Sequence, residues 1–80
     1  MKSIDTTKEN EIILYLDSND TFQSVKRILN HVSFKKYNTI TFETGAVNTA
    51  VIHKLRSLFV LLKYHEAGNP YDNSILKFEK

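Results

Sequence analysis

Seven basic side chains fall between residues 21 and 65: Lys26, Arg27, Lys35, Lys36, Lys54, Arg56 and Lys63. Only one acid, Glu43, sits among them. The flanks reverse the balance with four basic and eight acidic groups, so a net charge of +2 conceals a segment of +6 between flanks of −4. Such asymmetry can set up a local positive field on a nearly neutral molecule. Phosphate groups are the obvious counter-ions, and contacts of this kind are salt-sensitive and largely blind to sequence. The alternative reading of the same residues is a set of solvated helix faces.

Other chemistry is thinly provided. Catalysis needs a nucleophile or proton-transfer pair held by an orienting group. His31, His53 and His65 lie 22 and 12 positions apart, so a metal site would have to be assembled from distant elements. Glu43 points out from a strand as a solvated residue, unless a pocket joins it to two histidines. With no cysteine, the chain has no disulfide, thiolate metal site or cysteine nucleophile, which fits a reducing compartment. Neither the P-loop nor the dinucleotide fingerprint can be built from Gly45 and Gly68 alone. Gly45, just before a helix start, could still form a lone anion site from free amides and the helix dipole; a plain strand-to-helix turn is the simpler reading. The expectation is a non-enzyme with no catalytic residue, metal, cofactor or small-molecule substrate.

A chain of 80 residues makes one domain, here residues 1–80. At this size only about 60% of the unfolded surface is buried on folding, so an oligomer would add stability. The longest apolar run is Leu58–Leu62, far short of the roughly 18 residues of a membrane span. The N-terminus lacks the apolar core of a secretory signal. An intracellular location, cytoplasmic or nuclear, is therefore expected, with no membrane partner.

Periodicity supplies the elements. The first nine residues are polar and read as flexible. Glu11–Leu16 is a strand apolar enough for burial on both faces. Asp17-Ser18-Asn19-Asp20 offers several N-caps, and Phe22, Val25, Ile28, Leu29 and Val32 mark a helix over about 21–32. Lys26 and Arg27 lie off its apolar stripe. A loop with Lys35 and Lys36 leads to an alternating strand, 38–44. Gly45 ends that strand, and Val47, Ala50, Val51, Leu55, Leu58, Phe59 and Leu62 mark a second helix from about Ala46, with Lys54 and Arg56 off the stripe. Its end overlaps a strand-like stretch; the preferred division is helix to about Leu58 and strand from about Val60 to Glu66. Residues 67–73 are rich in turn formers, and Ser74–Glu79 is a last strand. Phe22, Phe42 and Phe59 fall at core positions. Tyr37, Tyr64 and Tyr71, at loops or strand ends, would pack, stack on bases or meet a partner.

The order β-α-β-α-β-β and the right-handed crossover rule predict an α/β, or α+β, two-layer sandwich. It has a four-stranded mixed sheet, two helices on one face and the other face open.

From Tyr37 to Val51 the chain resembles the Alba superfamily, which includes archaeal chromatin proteins and the Alba-like small subunits of ribonuclease P and MRP. The shared feature is a strand, then glycine, a small residue, an aliphatic, two polar residues and alanine: Gly45-Ala46-Val47-Asn48-Thr49-Ala50. The element order and the span from about Glu11 to Lys80 agree, although the C-terminal domain of the third translation initiation factor has a similar order. The resemblance implies a non-catalytic module binding RNA or DNA, as a homodimer or heterodimer, in chromatin or a ribonucleoprotein. Gly45, Asn48 and the start of the second helix would then face the nucleic acid. The end of that helix, with Phe59, Val60, Leu61 and Tyr64, would meet the partner. The chain departs from the family at Asp17-Ser18-Asn19-Asp20, where archaeal members place lysines, and at Thr44, where they often have arginine. Phosphate contact would accordingly rest on Lys35, Lys36, Lys54 and Arg56, with Lys26 and Arg27. A scaffold that meets only protein is the alternative.

Overall fold

Along Glu11–Tyr15 every second side chain is buried: Ile12 and Leu14 are fully enclosed, whereas Glu11, Ile13 and Tyr15 are only half-buried. This alternation belongs to a sheet with one covered face, not two, and it corrects the expectation of burial on both sides. The computed structural model describes residues 2–45, 47–68 and 71–80. Ala46, the expected first residue of the second helix, and Asn69 and Pro70 of the expected turn lie outside them.

The described elements are β1 (Ser3–Asp5), β2 (Glu11–Tyr15), α1 (Phe22–His31), a 3₁₀ turn (Phe34–Lys36), β3 (Thr39–Glu43), α2 (Thr49–Leu61), β4 (His65–Ala67) and β5 (Ile75–Glu79). They form a mixed α+β fold whose sheet has the strand order β1-β2-β3-β5-β4. Only β2 and β3 run parallel; the other three pairings are antiparallel. The sheet therefore has five strands where four were expected. The addition is β1, in which Ile4 sits opposite Leu14 and Lys2 N–H donates to the Tyr15 carbonyl at 2.9 Å. The N-terminal segment thus contributes an edge strand to the sheet.

Helix α1 begins with a reciprocal capping box, not at the Asp17–Asp20 run. Thr21 Oγ1 accepts from Ser24 N–H at 3.1 Å, and Ser24 Oγ accepts from Thr21 N–H at 2.9 Å. Asp20 braces the approach by accepting from the Asp17 amide at 2.9 Å. Helix α2 begins later than expected, with Asn48 as N-cap; its side chain accepts from Ala50 N–H at 2.8 Å.

Helix α2 also ends later than expected, at Leu61. Its C-terminus is a Schellman closure: Tyr64 N–H reaches the Phe59 carbonyl at 3.0 Å and Lys63 N–H the Val60 carbonyl at 3.1 Å. Lys63 takes the left-handed conformation, φ 68°, usually left to glycine. The accompanying apolar contact is Phe59 against Tyr64, ring centroids 5.1 Å apart. Strand β4 follows as His65–Ala67 instead of starting at Val60.

Both helices cover one face of the sheet. Ile12, Leu14, Ile40, Phe42, Leu76 and Phe78 from the strands meet Val25, Leu29, Val51, Ile52, Leu55 and Phe59 from the helices in a single core. Phe34, Phe42, Phe59, Tyr64 and Phe78 form a linked aromatic cluster at its centre. The opposite sheet face stays uncovered, as expected.

Candidate nucleic-acid interface

The helical layer is the basic side of the molecule. Neither α1 nor α2 contains an aspartate or glutamate. The strands carry acids to the uncovered face instead, where register places Asp5, Glu11, Glu43 and Glu79 on the side opposite the core residues, with Lys77 as a basic neighbour. Thr41 Oγ1 donates to Glu11 at 2.8 Å, and this bond holds the Glu11 carboxyl below its ordinary range, as does Lys8 nearby.

Parallel pairing of β2 and β3 puts the N-termini of both helices at one end of the molecule and their C-termini at the other. Gly45 and Asn48 stand at the N-terminal end, together with Asp17, Asp20 and Glu43. Lys35, Lys36 and Lys63 stand at the C-terminal end, where Lys80 N–H donates to the Asn38 carbonyl at 3.0 Å and the Lys80 ammonium to that of Lys35. Positive charge at helix C-termini complements the macrodipole.

Of the expected binding residues, the fold brings together Lys26, Arg27, Lys35, Lys36 and Lys54. Gln23, Lys26, Arg27 and Asn30 line one shallow depression on α1. Asn30 also lines the next, with Ser33, Phe34, Lys35 and Lys36. Lys26 and Lys54, from different helices, each place their ammonium 6.0 Å from the centre of the Phe22 ring. One aromatic ring thus contacts a cation from each helix.

The remaining three do not join this surface. Arg56 donates to Glu66 on β4 at 3.1 and 3.2 Å and is only half-exposed. Gly45 has φ 52° and precedes the helix by several residues, so its role is conformational: a left-handed turn. Asn48 is occupied in capping α2.

Two expected partner-interface residues are corrected by burial. Phe59 is 0% and Tyr64 7% exposed, both in the aromatic cluster, whereas Val60 and Leu61 are 68% and 76% exposed. For Phe59 the core position read from the helical spacing holds, and the partner role that the resemblance implied does not; for Tyr64 the misplaced end of the helix hid its inward position.

His31, His53 and His65 are exposed on three separate elements. His65 stands 4.0 Å from Glu79, in the row of the sheet farthest from Glu43. Among the described residues no group of three or more histidine, cysteine or acidic side chains could hold a metal ion. Nor is any described helix long and apolar enough to cross a membrane. No protein-family model matches the chain, and no curated protein or solved structure matches it.

Proposed function

We propose that the chain is a non-catalytic module that binds RNA or DNA through the phosphate backbone, using Lys26, Arg27, Lys35 and Lys36, with Lys54 at the margin. The observation that carries this reading is the segregation of charge: α1 and α2 present cations without a single acid of their own, while Asp5, Glu11, Glu43 and Glu79 lie on the opposite face of the sheet. Phosphate recognition asks for little more than this. Gln23 and Asn30, interleaved with the cations, add amides that can bond phosphate or sugar oxygens. The resemblance to Alba proteins from Tyr37 to Val51 points to the same ligand class, although the surface here is the exposed side of α1 and the following turn, away from Gly45.

The uncovered sheet face is a poor alternative, because its carboxylates would repel a polyanion. A protein-interaction role is the second reading, favoured by the exposure of Val60 and Leu61.

The test is a titration of duplex DNA and of an RNA hairpin at two salt concentrations. Affinity is expected to fall steeply as salt rises, and the combined Lys26→Ala, Arg27→Ala, Lys35→Ala and Lys36→Ala variant is expected to lose most of it. Absence of binding at low salt, or binding indifferent to salt, overturns the reading.

A further inference from the structure

The helical layer also has an apolar surface, which borders the proposed phosphate contacts and shares Lys26 and Lys54 with them. Phe22, His53, Lys54, Ser57, Leu58 and Leu61 line a depression of about 340 Å³. It adjoins, through Leu58, a smaller one of about 140 Å³ between the helices. Together they make a trough lined by Phe22, Leu58 and the exposed Leu61, with Lys26 and Lys54 also in its lining. The first of the depressions is predominantly apolar, unlike the polar one beside Arg27. A phosphate backbone gains nothing from such an apolar lining.

We propose that this trough docks an acidic amphipathic segment of a partner protein, its apolar edge against Phe22, Leu58 and Leu61 and its carboxylates against Lys26 and Lys54. Charge complementarity selects the occupant. A second copy of this chain, seated trough to trough, would set Lys54 against another basic helix, and neither helix carries a carboxylate to receive it. Glu66, the acid on this side of the sheet, already holds Arg56. Carboxylates must therefore come from the partner. Helix-in-groove recognition supplies the form, with apolar anchors at i, i+3 or i+4, and i+7 along one face of the incoming segment.

The proposal goes beyond the nucleic-acid reading and can fail separately from it. A labelled synthetic peptide with leucine at those spacings and glutamate elsewhere is titrated into the protein by fluorescence anisotropy. Polyglutamate of equal length and a leucine-scrambled peptide are the controls. Binding of the patterned peptide at least about tenfold tighter than either control, near 1.4 kcal/mol, is expected. Leu61→Ser, at an exposed position, and Lys54→Glu are each expected to weaken it about tenfold, while Leu61→Ser leaves duplex binding unchanged. Circular dichroism checks that both variants fold. The proposal is overturned if the patterned peptide binds no better than polyglutamate or if Leu61→Ser leaves its affinity unaltered. It is overturned equally if Leu61→Ser weakens duplex DNA instead, which would give the trough to nucleic acid.

Discussion

Phe59 of α2 lies parallel to Phe78 of β5, ring centroids 4.5 Å apart and planes 7° from coplanar. The pair ties the helical layer to the sheet, and both residues are essentially inaccessible. Phe59→Ala is expected to cost about 3–5 kcal/mol, a large share of the 5–15 kcal/mol typical of a whole domain. Val60→Ala, one position on but 68% exposed, is expected to stay within about 0.5 kcal/mol. Urea unfolding of the two variants checks the contrast. A loss at Val60 as large as that at Phe59 would place Val60 in an interface, and a loss at Phe59 as small as that at Val60 would place Phe59 outside the core.

How much of this could be read from the sequence depends on whether the deciding interaction is local. β2, α1 and β3 were legible within a residue or two because period-two and helical apolar spacing are carried by neighbouring residues. β1 was not: Ser3-Ile4-Asp5 has one inward apolar residue, and its strand exists because Leu14 and Tyr15 stand across from it. The end of α2 was hidden by Lys63, which takes a left-handed position without being glycine. In the candidate site, the basic excess of the middle segment was legible and mapped to the helical layer. The loss of Arg56 was not, because its partner Glu66 sits ten residues away on a strand whose start was misplaced.

Gly45 separates a conformational role from an anion-binding one. Its φ of 52° is a region where a β-carbon costs about 1–2 kcal/mol, and an added Cβ would lie 3.4 Å from the Leu16 carbonyl, a tolerable contact. Gly45→Ala is expected to lower stability by that amount and to leave duplex affinity unaltered under conditions where the variant is folded. Thermal unfolding and the binding titration together decide, and a weakened titration with the fold intact would restore Gly45 to the site.

Arg56 and Lys26 are both basic residues on the helical layer, yet they should behave differently. Lys26→Ala is expected to reduce the slope of log affinity against log salt by about 1. Arg56→Ala is expected to leave that slope alone, because its guanidinium faces Glu66. Removing this partly exposed pair should cost no more than about 1 kcal/mol. An equal change of slope for both variants would show that Arg56 leaves Glu66 to reach phosphate.

Tyr64 packs its ring in the aromatic cluster, and its buried hydroxyl has no hydrogen-bond partner among the described residues. Burial there raises its pKa above the ordinary 10.0, because the phenolate would have to form away from water. The folded value thus exceeds the unfolded one, so the contribution is fully present at neutral pH and is lost as pH climbs through 10 toward the raised value. Tyr64→Phe removes a desolvated hydroxyl while keeping the ring contacts with Phe34 and Phe59. It is expected to be neutral or stabilising by on the order of 1 kcal/mol at pH 7, and to make the alkaline loss of stability shallower. Tyr15 on the uncovered face also titrates high, through desolvation and then the charges of Glu43 and Asp5. Some alkaline dependence should therefore survive in the variant and diminish further when Tyr15→Phe is added. Urea midpoints measured from pH 7 to 11 distinguish the cases: a Tyr64→Phe curve parallel to the parent across the whole range would mean that the hydroxyl reaches water and its pKa is not raised by folding.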